Sequence, residues 1–155
     1  MVYYAAYPSP VGELLLTSDG ISLTGLWMNR ETPAGEGEEP EVLCRAKQWL
    51  DAYFRGEDRP VDFSLAPEGS EFQKKVWDIL LTIPYGKTLS YGTIARMLGE
   101  KMSAQAVGGA VGRNPISILI PCHRVVGAQG QLTGYAGGLD KKRWLLDHEG
   151  ISYRR

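Results

Sequence analysis

The first third of the chain alternates short apolar runs with turn-forming residues, the pattern of a small sheet. Strands are predicted over residues 2–7, 11–17 and 21–28, separated by Pro-Ser-Pro and by a hairpin signal at residues 18–20. A helix should follow from Glu41 to about Gly56, because apolar residues recur there at helical spacing: Val42, Ala46, Leu50 and Tyr53. Cys44 falls within this helix, and we expect it to serve in packing.

The remainder of the chain has the 3.6-residue periodicity of short helices. Ser70 is a good N-cap for a helix over residues 71–82, and Ser90 and Ser103 are N-caps for two more. One apolar stripe is predicted on the first of these helices, formed by Phe72, Val76, Ile79 and Leu80. The second helix should end at Gly99, and two short helices joined by a tight turn form a helix-turn-helix pattern.

These patterns predict an α+β fold with two domains. Residues 1–68 would form a small α/β domain in which a sheet packs against one helix. Residues 69–155 would form a mainly helical domain that carries the helix-turn-helix and a cysteine-containing loop. Small residues are frequent on the third helix, which suits either packing against another helix or close approach to a nucleic acid.

Charge is distributed unevenly between the two predicted domains, although the whole 155-residue chain has a net charge of only −1. Residues 1–68 hold 5 Lys+Arg against 12 Asp+Glu, which gives −7, whereas residues 69–155 hold 12 against 6, which gives +6. A basic domain with helical motifs is typical of nucleic-acid binding, since phosphate contacts supply most of the affinity. A solvated lysine-rich face is the alternative.

Composition also limits the location and the cofactors. The sequence has no apolar run of 18 residues and no signal-peptide pattern, so we expect a cytoplasmic or nucleoid-associated protein without a membrane partner. We expect no cofactor and no metal, since the first 68 residues hold one Cys and no His. A deaminase-type zinc site is excluded because no His precedes Cys122 and no second Cys follows at the required spacing.

The stretch ILIPCHRVV, residues 118–126, contains the candidate chemistry of the chain. It places Cys122 beside His123 and Arg124, and a thiol with cationic neighbours can be held as the nucleophilic thiolate. Because Pro121 restricts the backbone, we expect the cysteine at a sharp bend where a strand ends. The alternative is a buried structural cysteine.

Several segments in a fixed order resemble the O6-alkylguanine-DNA alkyltransferase family. They are SYGTIARMLGEKMSAQAVGGAVGRNP from Ser90, the PCHR motif at Cys122, GYAGG from Gly134 and WLLDHEG from Trp144. The resemblance is strong over roughly residues 70–150 and fainter in SPVGELLLTSDG and LTGLWM near the N-terminus.

This resemblance implies a methylated-DNA-[protein]-cysteine S-methyltransferase that acts once. Such a protein flips O6-alkylguanine, and in some cases O4-alkylthymine, out of duplex DNA and moves the alkyl group irreversibly to its own cysteine. The DNA would be bound through the minor groove by a monomer. The alternative is a non-catalytic lesion-binding protein of the alkyltransferase-like type, which lacks the cysteine, and the presence of Cys122 argues against it.

The resemblance also implies residue roles. Cys122 would be the alkyl acceptor, His123 its base through a water, and Glu149 the carboxylate that orients His123. Asn114 would tie the recognition helix to the active-site strand, and Tyr91 would donate to the guanine ring. Substrate contacts are expected from Tyr91, the backbone of Val125, Tyr135 and Ala136, and DNA contacts from Ser90, Tyr91, Ala104, Gln105, Ala106, Gly108, Gly109 and Arg113.

Each of these residues also has a structural reading: the two tyrosines as half-buried core, Asn114 as a turn former, and Glu149 as a solvated helix end. The chain departs from the family at Gln105, where an arginine is usual, and at Ala136, where some relatives have serine. The role of Arg124 is open between an ion pair within the fold and a phosphate contact, and we expect His148 to be structural.

Overall fold

The computed structural model describes residues 2–33, 39–99 and 101–154. The chain folds into two units, which are Met1–Glu68 with Pro115–Ser117, and Gly69–Asn114 with Ile118–Arg155. A small antiparallel sheet is followed by a mainly helical unit, so the predicted α+β class is confirmed. The domain boundaries 1–68 and 69–155 stay a prediction.

The first unit is built on an antiparallel sheet of three strands in the order β1–β2–β3. Strand β1 is Tyr3–Ser9, β2 is Gly12–Ser18 and β3 is Leu23–Trp27. A two-residue turn joins β1 to β2, and the pair of residues that flanks this turn is Ser9 and Gly12. Helix α1, Glu41–Phe54, buries the predicted apolar positions Val42, Ala46, Leu50 and Tyr53.

Two parallel bridges extend this unit beyond the three strands. They join Leu23 to Leu65 and Leu26 to Ile116. The second bridge includes hydrogen bonds from Leu26 N to Pro115 O at 2.9 Å and from Ser117 N to Leu26 O at 3.2 Å. Residues 115–117 therefore pack with the first unit, an association with no local signal in the sequence.

The position of Cys44 on α1 contradicts the prediction that this residue serves in packing. Cys44 is exposed, not packed, and its Sγ lies 3.8 Å from Glu39 Oε2. The apolar stripe of α1 passes through Leu43 and Ala46, which are fully buried, so residue 44 falls on the outer side of the helix. Both cysteines are free thiols.

Among its described residues, the second unit contains four α-helices: α2 Glu71–Leu80, α3 Tyr91–Leu98, α4 Ala104–Gly112 and α5 Leu139–His148. The three serines predicted as N-caps all act as such. Ser70 Oγ accepts from Gln73 N, and Ser70 N donates to Gln73 Oε1, so the two residues form a capping box. Gly99 ends α3 with φ 137°, which only glycine adopts readily.

The buried face of α2 differs from the predicted stripe. Val76, Trp77 and Leu80 are buried, whereas Phe72 and Ile79 are partly exposed. The indole Nε1 of the buried Trp77 donates to Ala110 O at 2.9 Å, which satisfies its only polar group and ties α2 to α4. No helix among the described residues is both long and apolar enough to span a membrane.

Candidate active site

Cys122 begins a 3₁₀ turn, Cys122–Arg124, and the predicted strand before it is absent from the structure. Residues 117–120 form turns instead, because Ile118 has φ 71°, which reverses the chain and is rare for a β-branched residue. The strand lies after the cysteine: β5, Val125–Val126, pairs in parallel with β4, Leu89–Ser90. The sharp bend at Cys122 is as expected, but it precedes the strand.

Glu149, at the C-terminus of α5, joins three parts of the second unit. Its Oε2 lies 2.6 Å from His123 Nε2, and its Oε1 accepts from Arg124 Nε at 2.8 Å and from Gly86 N at 3.1 Å. The side chains of His123 and Glu149 are both 0% exposed. Glu149 is thus a buried organising carboxylate, not a solvated helix end, and Arg124 pairs within the fold.

The charges of this cluster assign the histidine tautomer. Burial raises the pKa of Glu149, but the hydrogen bonds and charges of His123 and Arg124 outweigh burial and bring that pKa down to about 2. The ionised carboxylate can only accept, so His123 Nε2 must carry the proton that lies between them. Burial also lowers the pKa of His123, which keeps the ring neutral at pH 7 despite the opposing influence of Glu149.

A neutral ring protonated at Nε2 has its basic lone pair at Nδ1. His123 Nδ1 is buried and has no hydrogen-bond partner within the described parts of the chain. An unsatisfied buried acceptor is costly, and such groups in native proteins commonly meet water or a reacting group. His123 is therefore arranged as a base whose acceptor site is open.

The state of the Cys122 thiol differs from the sequence expectation. Burial raises the pKa of Cys122, and this exceeds the lowering by hydrogen bonds from Asn114 and Tyr135 and by the charge of Lys142. The neighbours in sequence supply no cation, because His123 is neutral and Arg124 is committed to Glu149 and to Ile83 O, 2.7 Å from its Nη1. Cys122 is therefore a thiol, not a thiolate, in the resting protein.

Asn114 connects helix α4 to the cysteine loop. It lies just beyond the end of α4, is buried, and donates from Nδ2 to Ile120 O at 2.8 Å, two residues before Cys122. The same side chain lowers the pKa of Cys122 by hydrogen bonding. Asn114 thus links the end of α4 to the loop that carries Cys122, and it is not an exposed turn residue.

Lys142 is a site residue that the sequence reasoning missed. Its side chain is 0% exposed, and its Nζ donates to Val125 O at 2.7 Å and lies 6.0 Å from the centre of the Tyr91 ring. Burial lowers its pKa to about 8, against a partial raising by Cys122. A signal was present in the sequence, because residue 142 shares a helical face with the buried residues Leu145, Leu146 and Glu149.

An open cavity of about 560 Å³ lies between α4 and the loop that precedes α5. Its lining includes six of the predicted contact residues, namely Tyr91, Ala104, Gln105, Gly108, Tyr135 and Ala136, together with Gly112, Thr133 and Gly134. The structure thus brings residues from three separate segments of the chain to one cavity. A pocket with mostly apolar lining and a few convergent hydroxyls is typical of a small-ligand site.

The glycines on the outer face of α4 have open space beside them within the part of the chain that the structure describes. A Cβ added at Gly109 or Gly112 would meet nothing within 4 Å, and one at Gly108 would make only ordinary contact with Tyr91 at 3.8 Å. Each glycine inside a helix costs about 1 kcal/mol relative to alanine. A surface that carries this cost without an internal reason is suited to close approach by a partner molecule.

The other predicted contact residues lie outside the cavity lining. Ala106, Gly109 and Arg113 are exposed on or just after α4. Ser90 Oγ is occupied as the N-cap of α3, where it accepts from Thr93 N at 3.1 Å. Val125 N donates to Cys122 O and Val125 O accepts from Lys142, so contact between its backbone and a base would use the second lone pair of the carbonyl.

Two further observations complete the site. His148 stacks on Trp144 with ring centres 4.9 Å apart, a structural contact as predicted. Among the described residues, no group of three or more His, Cys, Asp or Glu side chains is placed to hold a metal ion.

Comparisons with known proteins agree over nearly the whole chain. The family described as 6-O-methylguanine DNA methyltransferase, DNA binding domain, matches residues 71–151, and the ribonuclease-like domain of the same protein matches residues 2–67. The methylated-DNA–protein-cysteine methyltransferase of Methanosarcina acetivorans is 48% identical, with 96% of this chain and 99% of that protein covered. The protein of that name from Mycobacterium tuberculosis is 46% identical, with 96% and 93% covered.

Solved structures give the same result. The crystal structure of Mycobacterium tuberculosis O6-methylguanine methyltransferase matches with a TM-score of 0.85 and 47% identity, covering 96% of this chain and 93% of that one. A crystal structure of Mycobacterium tuberculosis OGT in complex with DNA matches with a TM-score of 0.85 and 46% identity, covering 95% and 92%.

Proposed function

The chain belongs to the 6-O-methylguanine DNA methyltransferase family, and from this membership we propose that it repairs alkylated guanine in duplex DNA by moving the alkyl group to its own Cys122. DNA repair by alkyl transfer to a protein cysteine is the activity of this chain, and DNA is its partner. The acceptor cysteine, the roles of the surrounding residues and the mode of DNA binding are the proposal.

The buried series Cys122, His123, Glu149 and Arg124 is the observation that carries it. His123 and Arg124 together keep Glu149 ionised, Glu149 holds the proton on His123 Nε2, and Nδ1 remains as the open acceptor on the residue next in sequence to the thiol. His123 can then take the thiol proton through one water molecule when the alkylated base arrives. The exposed thiol of Cys44 lies 3.8 Å from the carboxylate of Glu39, which is a weaker base than a neutral imidazole, and this supports Cys122 as the acceptor.

The reaction forms one bond and breaks one. The sulfur of Cys122 attacks the alkyl carbon, a C–S bond forms, and the bond from that carbon to O6 breaks. Its electron pair passes to the purine, which takes up a proton, and His123 accepts the proton lost by the thiol. Tyr91, half-buried in the cavity, would stabilise the departing purine by donating to its ring. A thioether is not readily hydrolysed, so each molecule acts once.

The geometry of α4 supports a DNA contact through the minor groove. Ala104, Gln105 and Gly109 are exposed, and the open space over Gly109 and Gly112 would allow the helix backbone to approach a narrow groove. Readout in that groove is poor, which suits repair in any sequence context. The target base must leave the helix to reach the cavity, at a cost of about a few kcal/mol.

Gln105 lines the cavity at the position where relatives usually have arginine. We infer that Gln105 enters the space left by the flipped base, where it can form hydrogen bonds but lacks the charge and the stacking plane of a guanidinium.

We also infer that the protein is a monomer and that it acts in the cytoplasm, where Cys122 stays reduced.

Intact mass after reaction with a DNA duplex that contains O6-methylguanine tests the proposal. One methyl group per protein molecule should appear, and peptide mapping should locate it on Cys122. Cys122→Ser should bind DNA without transfer, because a serine hydroxyl is far from ionised at neutral pH.

Cys44→Ser is the matched control and should react like the unaltered chain. Repeated turnover, or a methyl group on Cys44, would refute Cys122 as the acceptor. Lesion binding by the unaltered chain with no transfer at all would instead support the non-catalytic alternative.

A further inference from the structure

Thr133 makes a hydrogen bond to a residue of the cavity that is distant in sequence. Its Oγ1 donates to Tyr91 Oη at 2.7 Å, across 42 residues of sequence. Tyr91 is the first residue of α3, and Thr133 lies in the loop that reaches the GYAGG segment. Both side chains line the cavity that would receive the base.

The direction of this bond determines where the phenolic proton can point. A tyrosine hydroxyl has one proton to donate and accepts through oxygen lone pairs. Since Thr133 occupies Oη as a donor, the proton of Tyr91 must be directed elsewhere. Within the described ranges, Tyr91 Oη donates to no other group, so its proton is available to a molecule in the cavity.

The same bond strengthens Tyr91 as a donor. Burial raises the pKa of Tyr91 and the charge of a Cys122 thiolate raises it too, whereas the hydrogen bond from Thr133 lowers it. Negative charge that develops on Oη as the phenol donates would shorten and strengthen the bond from Thr133.

We propose that Thr133 is a positioning residue for alkyl transfer, which aims the Tyr91 hydroxyl at the departing purine by donating to Tyr91 Oη. This inference rests on the proposed function, because it assumes that Tyr91 acts on the purine. No proton leaves Thr133 during the reaction. Thr133 acts on the transfer step and not on DNA binding or base flipping.

Thr133→Val removes the donor and keeps the shape of the side chain, whereas Thr133→Ser retains the donor. The test measures single-turnover transfer at saturating substrate, on methylated duplex DNA and on free O6-alkylguanine. Loss of one neutral hydrogen bond should slow Thr133→Val roughly three- to tenfold by the same factor on both substrates. Thr133→Ser should stay within about twofold, and the Kd for DNA should not change.

A double-mutant cycle with Tyr91→Phe separates positioning from packing. In the Tyr91→Phe background, which has no hydroxyl to orient, Thr133→Val should cause no further loss. Thr82→Val is the matched control, because it removes an exposed threonine hydroxyl at the end of α2 and should leave the rate unchanged. If Thr133→Val does not fold, Thr133→Ala removes the same donor and should show the same loss.

The outcomes are distinct. Unaltered transfer by Thr133→Val beside a slow Tyr91→Phe would overturn the inference alone, and so would equal losses in both backgrounds. Failure of Thr133→Ser to restore the rate would also overturn it. An unaltered chain that transfers no alkyl group would overturn the proposed function and the inference together.

Discussion

Glu149→Gln should destabilise the protein strongly, because Glu149 neutralises a buried cation. The amide retains the shape of the side chain and can still accept from Gly86 N, but it leaves the guanidinium of Arg124 without a counter-charge. Arg124 is only 8% exposed. Breaking a buried ion pair by removing one partner typically costs about 3–5 kcal/mol, so the free energy of unfolding at pH 7 should fall by about that amount.

The pH dependence of this loss gives a sharper test. The pKa of Glu149 is lowered in the folded state to about 2, so its ionisation stabilises the fold above the unfolded value near 4.5. That contribution is at most about 3 kcal/mol, and about 2 kcal/mol of it should be gone by pH 3. The difference in stability between the unaltered chain and Glu149→Gln should therefore shrink between pH 5 and pH 3.

Urea unfolding of both chains at pH 7, 5 and 3 measures these quantities. Asp147→Asn is the matched control, since it removes an exposed carboxylate two residues away and should change stability by less than about 0.5 kcal/mol. Adding Arg124→Met to Glu149→Gln should recover stability, because the unpaired cation is removed. A Glu149→Gln chain within about 1 kcal/mol of the unaltered one at pH 7, or a difference that stays constant from pH 5 to pH 3, would refute the reasoning.

Three further predictions concern function. Gln105→Arg should speed repair of methylated duplex DNA up to roughly tenfold, since stacking of a base is worth about 1 kcal/mol or more. The reaction with the free modified base should not change, because a free base needs no flipping. Equal changes in rate on both substrates would exclude a flipping role for Gln105. DNA affinity should fall with salt, by a log-log slope of about −0.9 for each phosphate contact, and affinity that is insensitive to salt would contradict a basic DNA face on residues 69–155. The transfer rate should decline on acidification only below the ordinary histidine pKa of about 6.5, because burial lowers the pKa of His123. Single-turnover rates measured across pH test this. A decline that begins above pH 7 would show that another group limits the reaction.

Local patterns in the sequence determined most of the secondary structure. Ser70, Ser90 and Ser103 were recognisable as N-caps because the side chain of a cap bonds within its own first turn, at a separation of three residues. The periodic stripe of α1 is local for the same reason. The membership of Cys122, His123 and Glu149 in one family pattern was also visible, since motif order needs no coordinates.

Contacts between distant residues decided the rest of the site. The sequence placed His123 and Arg124 beside Cys122 and suggested a thiolate, but both side chains are engaged by Glu149, 26 and 25 residues away. Burial, which depends on packing of the whole unit, then raises the pKa of the thiol. The turn at Ile118 and the exposure of Cys44 were unpredictable for a related reason, because a helix face or a bend is selected by what packs against it.

The sequence by itself determined the family, the order of the elements and the candidate nucleophile, since each of these can be recognised from short segments of consecutive residues. Only the tertiary structure decided which side chains form ion pairs and hydrogen bonds with one another. Lys142 meets Val125 across 17 residues, and Thr133 meets Tyr91 across 42. Helical spacing could place residue 142 on the buried face of α5, but it could not identify the partner of either residue, because a hydrogen bond between two distant segments depends on where the fold brings them.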